Sequence, residues 1–192
     1  MAETPSHGDA DPGTLKGKLL VASPALHDPN FRRSIVLVTE HGLEGAMGLV
    51  LARAAPASVA EVAPALGPLV EPGALLYLGG PVQPEAVLVL AEFDRPEDSA
   101  GLVLGDLGFV RGDADPVLAA GSIRRAQVFA GYAGWGAGQL ESELAEPSWV
   151  VMAAEPDDVF ARDVDALWHA VLGRQGSRFA LLASMPPDPS LN

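Results

Sequence analysis

A chain of 192 residues with 48% apolar and 19% charged side chains can bury a real hydrophobic core in one domain, and it is too apolar to be a disordered acidic tail. Its 25 acidic against 12 basic residues leave a net charge of −13, which opposes a phosphate backbone as partner, and its lack of cysteine excludes disulfides, thiolate zinc sites, Fe–S clusters and a cysteine nucleophile. The charge is local: residues 85–115 carry −6 and residues 141–165 carry −7, so the remainder is neutral.

Residues 1–14, with Glu3, Asp9 and Asp11 and neither a basic nor an apolar segment, read as a flexible tail rather than a signal peptide. The longest uncharged stretch, residues 126–140, is crowded with Gly and shorter than the roughly 18 apolar residues of a spanning helix. The expected location is therefore the cytoplasm, with no membrane partner. Short Leu, Val and Ile runs at 18–22 and 34–39, bounded by Pro, Asp and Gly, predict two buried strands. Pro24 and Pro29 make the connection between them an ordered loop. A third strand covers 45–51, where Gly45 and Gly48 point to a bulge or a close backbone approach.

Ser58, with Glu61 three residues on, caps a predicted helix over 58–66 that Pro64 limits. Strands at 74–78 and 87–91 follow, joined by a turn over 79–85 that holds two Gly and two Pro. A weaker strand falls near 102–104, and Asp115 before Pro116 starts a helix. A strand at 126–133 and helices at 139–146, 156–160 and 164–172 complete the domain, which spans 15–185 and ends in a Pro-rich tail over 186–192. Strands outnumber helices and often lie too close together for a crossover helix. The expected fold is α+β, a mixed, mainly antiparallel twisted sheet with a few flanking helices. Its strand edges leave a homodimer open.

Three stretches are distinctive: Ala22-Ser-Pro-Ala-Leu-His-Asp-Pro-Asn-Phe31; Gly45-Ala-Met-Gly-Leu-Val-Leu51 followed by Arg53; and Tyr77-Leu-Gly-Gly-Pro-Val82 with Phe129-Ala-Gly-Tyr-Ala-Gly-Trp-Gly-Ala-Gly-Gln-Leu-Glu141. In this order and spacing, from about Leu15 to Leu182, the chain resembles the YqgE/AlgH family of bacterial proteins. Its ending, from Arg174 through Asp188-Pro-Ser-Leu-Asn192, resembles the actinobacterial branch. It departs from the family pattern at Ala52-Arg53-Ala54, where Asn-Arg-Pro is usual, and at Ala137, where Pro is usual. The resemblance implies a compact α/β protein, often labelled a transcriptional regulator, with no catalytic residue, cofactor or DNA-reading motif to carry over.

The Gly string also has a reading of its own. Strand alternation sends Phe129, Gly131, Ala133 and Trp135 to one face and Ala130, Tyr132 and Gly134 to the other. Gly136 and Gly138 then permit a turn into a helix with Leu140 and Leu144 facing inward. Strand, Gly turn and helix start together make an anion cradle in many proteins. Here Glu141 and Glu143, both expected in the first turn, oppose a phosphate. The candidate ligand-binding residues are Gly79, Gly80, Tyr132, Trp135, Gly136 and Arg53; close packing of backbones is the alternative use of the glycines.

A second constellation comprises His27, Asp28, Thr39, Glu40 and His41, which strand pairing would gather into two imidazoles and two carboxylates. Asp28, Glu40 and His41 are its candidate catalytic groups for a metal-assisted hydrolase, against the plain reading of solvated loop and strand-end residues. P-loop, nucleophile-elbow and zinc-helix patterns are missing, and no cofactor or resident metal is assigned. The favoured reading is a non-enzymatic binding or regulatory module that contacts a protein or a small molecule. The alternatives are the hydrolase and direct DNA binding through Lys16, Lys18, Arg32, Arg33, Arg124 and Arg125, which the charge disfavours.

Overall fold

Apolar runs too short for helices pair here partly with sequence neighbours and partly with strands far along the chain, and the result is one large sheet. The computed structural model describes residues 13–23, 26 and 28–174; the expected tails at 1–14 and 186–192 fall mostly or wholly outside them. The strands are β1 (Lys18–Ala22), β2 (Ile35–Gly42), β3 (Gly45–Val50), β4 (Ala54–Ser58), β5 (Leu75–Leu78), β6 (Val82–Phe93), β7 (Gly101–Leu104), β8 (Leu107–Phe109), β9 (Ile123–Gly136) and β10 (Trp149–Ala153). The helices are α1 (Val59–Val62), α2 (Pro116–Ala119), α3 (Gln139–Ala145), α4 (Pro156–Val159) and α5 (Val164–Arg174).

The sheet runs β10-β1-β2-β3-β9-β6-β8-β7 with every one of these pairs antiparallel. One parallel pair, Tyr77 with Phe129 and Leu78 with Ala130, joins β5 to β9, and β4 pairs antiparallel with β5. The expected mixed, mainly antiparallel α+β fold is what forms.

β1, β2 and β3 are buried on both faces, which is why they read as continuous apolar runs rather than as alternation. Leu19, Val21, Ile35, Leu37, Leu49 and Leu51 face a core covered by α5 through Leu167, Trp168, Val171 and Leu172. Leu20, Ala22, Val36, Val38 and Val50 face the opposite core, with Trp135, Leu140 and Trp149. A third cluster, around Ala55, Val59, Leu69, Leu76, Val89 and Val128, lies under α1 and the following turn. Each fully buried Leu or Ile in these cores contributes roughly 1.5–3 kcal/mol.

Local signals locate most boundaries. Glu61 accepts the Ser58 N–H at 2.8 Å while Ser58 Oγ accepts the Glu61 N–H at 3.3 Å, a complete capping box, but α1 stops at Val62 because Pro64 opens a 3-10 turn, Pro64–Leu69. Asp115 Oδ1 accepts the Val117 N–H at 2.8 Å and Pro116 begins α2. Gly45 and Gly48 are close approaches: a Cβ would lie 2.2 Å from the Trp135 carbonyl oxygen at the first and 2.8 Å from that of Leu37 at the second. The bulge itself sits on the facing strand, between Val38 and Glu40.

Three expectations change. β9 extends well beyond 126–133 at both ends. β6 begins at Val82, inside the expected turn, and tolerates Pro84 because its register against β9 slips between Val82 and Val87. β4, β8 and β10 lie outside the predicted strands.

Candidate functional site

The candidate ligand residues gather around β9, and one backbone angle decides how. Gly131 takes φ +67°, and a Cβ there would lie 2.6 Å from the Gly80 carbonyl oxygen, so only glycine fits. This left-handed residue breaks the alternation of the strand. Phe129 and Tyr132 both pack with the core under α5, whereas Ala133 and Trp135 pack on the opposite core. The expected common face of Phe129, Ala133 and Trp135 is therefore corrected, and Tyr132 and Trp135 belong to different cores.

Trp135, Trp149 and Phe31 form an aromatic cluster with ring centroids 5.6 to 6.3 Å apart. One carboxylate completes it. Glu143 Oε2 accepts the indole N–H of Trp135 at 3.0 Å and of Trp149 at 2.9 Å, and its Oε1 accepts from Gln139 Nε2 at 3.1 Å. Gln139 Oε1 in turn accepts the Gly136 N–H at 3.0 Å, which holds the Gly turn. Glu143 is thus the fifth residue of α3 and not in its first turn, where only Glu141 of the two lies. Sequence reasoning missed Phe31 and Trp149; the available signal was that buried indole N–H groups each demand an acceptor.

The strand-end constellation is not assembled. Asp28 precedes the start of β2, His41 lies near its other end, and among the described residues Asp28, Glu40 and His41 form no cluster that could hold a metal ion. Asp28 forms a turn instead, its Oδ1 accepting the Asn30 N–H at 2.8 Å and its carbonyl accepting from Phe31 and Arg32. Glu40 is exposed and, adjacent to His41 on the strand, projects to the opposite face. Thr39 is buried and donates to the Met47 carbonyl at 3.2 Å. His27 lies outside the described residues. Ser23 donates its hydroxyl to the Pro147 carbonyl, tying β1 to the start of β10.

His41 has two fixed contacts. Its Nδ1 accepts the Leu15 N–H at 3.2 Å, which places the ring proton on Nε2, and Nε2 donates to Glu141 Oε1 at 2.8 Å. Glu141's own N–H and the His41 donor hold its carboxyl below the ordinary range.

Arg53 sits beside the Gly79-Gly80 turn: its carbonyl accepts the Leu78 N–H at 2.8 Å, and the Gly79 carbonyl accepts from Val50 at 2.8 Å. Cβ atoms at Gly79 and Gly80 would lie 2.3 Å from the Gly131 oxygen and 2.2 Å from the Tyr132 carbonyl carbon, so both glycines serve close backbone contact. The Arg53 guanidinium donates to the Asn30 carbonyl at 2.7 Å, and burial lowers its pKa. Ala52 takes φ +58°, a region that favours Gly and Asn, so the Asn usual at this position in the family has a conformational reason.

Three of the six basic candidates, Arg33, Arg124 and Arg125, are committed to acids. Arg124 contacts Asp106 at 3.0 Å, Asp94 at 3.1 Å and Glu92 at 3.3 Å; Arg125 contacts Asp157 at 2.5 Å and Glu92 at 2.7 Å. Arg33 pairs with Asp165 at 2.9 Å over the ring of Trp168. Among the described residues no group of three or more His, Cys, Asp or Glu is arranged to hold a metal ion, and no helix is long and apolar enough to cross a membrane.

Sequence and fold find their matches in the same place. Residues 19–180 match the family model described as AlgH-like. A UPF0301 protein of Streptomyces avermitilis is 42% identical over 192 residues, covering 96% of this chain and 99% of that one. The crystal structure of protein DIP2367 from Corynebacterium diphtheriae superposes with a TM-score of 0.80 at 30% identity, covering 88% of this chain and 91% of that one. The solution structure of AlgH from Pseudomonas aeruginosa superposes with a TM-score of 0.73 at 33% identity, covering 94% and 98%. With the family model spanning most of its length and a relative matched nearly end to end, the chain belongs to the AlgH-like family.

Proposed function

We propose that this protein is a non-enzymatic binding or regulatory module that acts through protein or small-ligand contacts. The observation that carries this reading is how its chemistry-bearing side chains are used. Both ring nitrogens of His41 are engaged, and Glu143 accepts from two indoles and an amide, so each would have to abandon its contacts to act as a base or a metal ligand. The hydrolase reading needs Asp28, Glu40 and His41 on one substrate, and among the described residues they form no group arranged to hold a metal ion. Direct DNA binding has against it the acids already paired with Arg33, Arg124 and Arg125 and the net charge of −13. Residence in the cytoplasm belongs to the same proposal and is checked by cell fractionation.

The test is a phosphatase, esterase and nuclease screen of the purified chain beside native mass spectrometry of protein isolated without denaturation. A retained small molecule or protein with no turnover is the expected result. Turnover that His41→Ala abolishes would overturn the proposal.

A further inference from the structure

With 25 acids to 12 bases in the chain, an arginine that holds no acid is the exception. Seven other arginines each hold a carboxylate at 3.3 Å or less. Arg53 holds none among the described residues. Its Nη1 donates to the Asn30 carbonyl at 2.7 Å, and its Nε and Nη2 have no partner there. These two atoms differ from Gln127 Nε2 and Arg33 Nε, which are unpartnered but sealed from solvent: on the partly buried Arg53 they remain open to it. Burial lowers the pKa of this guanidinium and no neighbouring carboxylate counters the effect, so the cation has lost part of its water without gaining a protein anion.

The backbone around Arg53 is strained from three sides. The described residues other than glycine with positive φ are Arg33, at +53°, Ala52, at +58°, and Gln83, at +46°. Ala52 immediately precedes Arg53. Arg33 follows the turn that starts at Asp28 and includes Asn30, whose carbonyl receives the guanidinium. Gln83 lies just beyond the Gly79-Gly80 turn, and Leu78, which leads into that turn, donates its N–H to the Arg53 carbonyl at 2.8 Å. Such disfavoured conformations gather where a structure clamps a ligand. The charge of this region is balanced as well: residues 15–84 hold five acids and five bases, and both acidic segments begin beyond them.

We propose that Arg53 anchors a carboxylate site, its Nε and Nη2 donating side by side to the two oxygens of a carboxylate from outside the chain. A guanidinium edge matches a planar two-oxygen group, and the three strained segments fix where that edge stands. One positive charge selects a monoanion. A phosphate dianion would leave one charge unneutralised beside the turn that Asp28 starts. The carboxylate belongs to a small organic acid or to the end of a peptide chain, and the recognising chemistry is the same for both. This site rests on the binding-module reading and names what the module binds.

The test is an NMR titration of the full chain at constant ionic strength that follows the backbone amides and the arginine Nε–H groups. The probes are acetate and acetyl-diglycine with a free C-terminus; acetamide and the C-terminal amide of the same peptide are the uncharged controls, and inorganic phosphate is the competing anion. Acetate is expected to shift the Arg53 Nε–H and the Asn30 amide saturably while the seven acid-paired arginines stay in place. Arg53→Lys, which keeps the charge and loses the two-donor edge, should weaken acetate by about tenfold, the worth of one hydrogen bond between charged groups, while the dispersed spectrum reports an intact fold. Tighter binding of the peptide than of acetate assigns a chain end, and equal binding assigns a small acid; either result sustains the site. No saturable shift at Arg53, equal shifts at the paired arginines, equal binding of the uncharged controls, phosphate tighter than acetate, or full affinity in Arg53→Lys would overturn the site and leave the binding-module reading standing. Hydrolysis of the peptide, seen in its own proton spectrum, would overturn that reading instead.

Discussion

The two ends of β9 treat buried polar groups in opposite ways. Near its C-terminal end Trp135 and Trp149 each present an indole N–H, and Glu143 receives both, so aromatic area and polar capacity are satisfied together. Near its N-terminal end Gln127 is as deeply placed and its amide nitrogen finds no acceptor among the described residues. The difference teaches that depth in a core does not by itself secure a partner for a polar group; what secures it is which element the fold packs across from it. The indole end is finished, and the amide nitrogen at the other end is buried without a partner among the described residues.

The strongest challenge to this contrast is Trp135→Ala, which removes a large buried side chain and one donor to Glu143. It should cost about 3–5 kcal/mol in urea unfolding, and a loss under 1 kcal/mol would mean that the cluster is not a scaffold. Glu143→Leu leaves both indole donors without their acceptor and should cost about 2–3 kcal/mol, with Glu143→Gln recovering part of it. Gln127→Leu should behave in the opposite sense, unchanged or more stable by up to about 1 kcal/mol, because an unpaired amide gives way to an apolar side chain. A marked destabilisation there would show that Gln127 is scaffold too.

The smallest effect belongs to the rim of the finished end. Because the folded Glu141 carboxyl titrates below its ordinary 4.5, its pair with His41 stabilises fully above that pH and is lost as pH falls through the depressed value. Wild type should therefore exceed Glu141→Gln by at most ~0.5 kcal/mol at neutral pH, with the gap closing in acid. A gap that does not change with pH would break this assignment.

Much of the chain was legible from single residues and their near neighbours. Ser58 with Glu61, and Asp115 before Pro116, mark helix starts because a cap needs only its own first turn. The runs that became β1 and β2 are apolar enough to demand burial wherever they go. β4, Ala-Ala-Pro-Ala-Ser, carries no strand signal of its own and is extended because β5 lies beside it. β8 is three residues long and exists only through β6 and β7. The candidate site was legible in composition and not in arrangement: the Gly string was visible as a unit, but the phase break at Gly131 follows from the Gly80 backbone crossing it. Gln127 lies unmarked within the predicted strand over 126–133, and its lack of a partner among the described residues is decided by what packs around it.

The sequence by itself determined the family, the α+β class, the mainly antiparallel sheet and the separation of charge into two acidic segments. These follow from side-chain size, backbone preference and ionisation, which each residue carries with it. Only the tertiary structure decided which polar groups would be satisfied. His41 meets Glu141 across 100 residues and Leu15 across 26, while the Gln127 amide nitrogen is buried without a partner among the described residues. A hydrogen bond needs two partners at one place, and in a sheet built from distant strands the second partner is set by topology rather than by spacing.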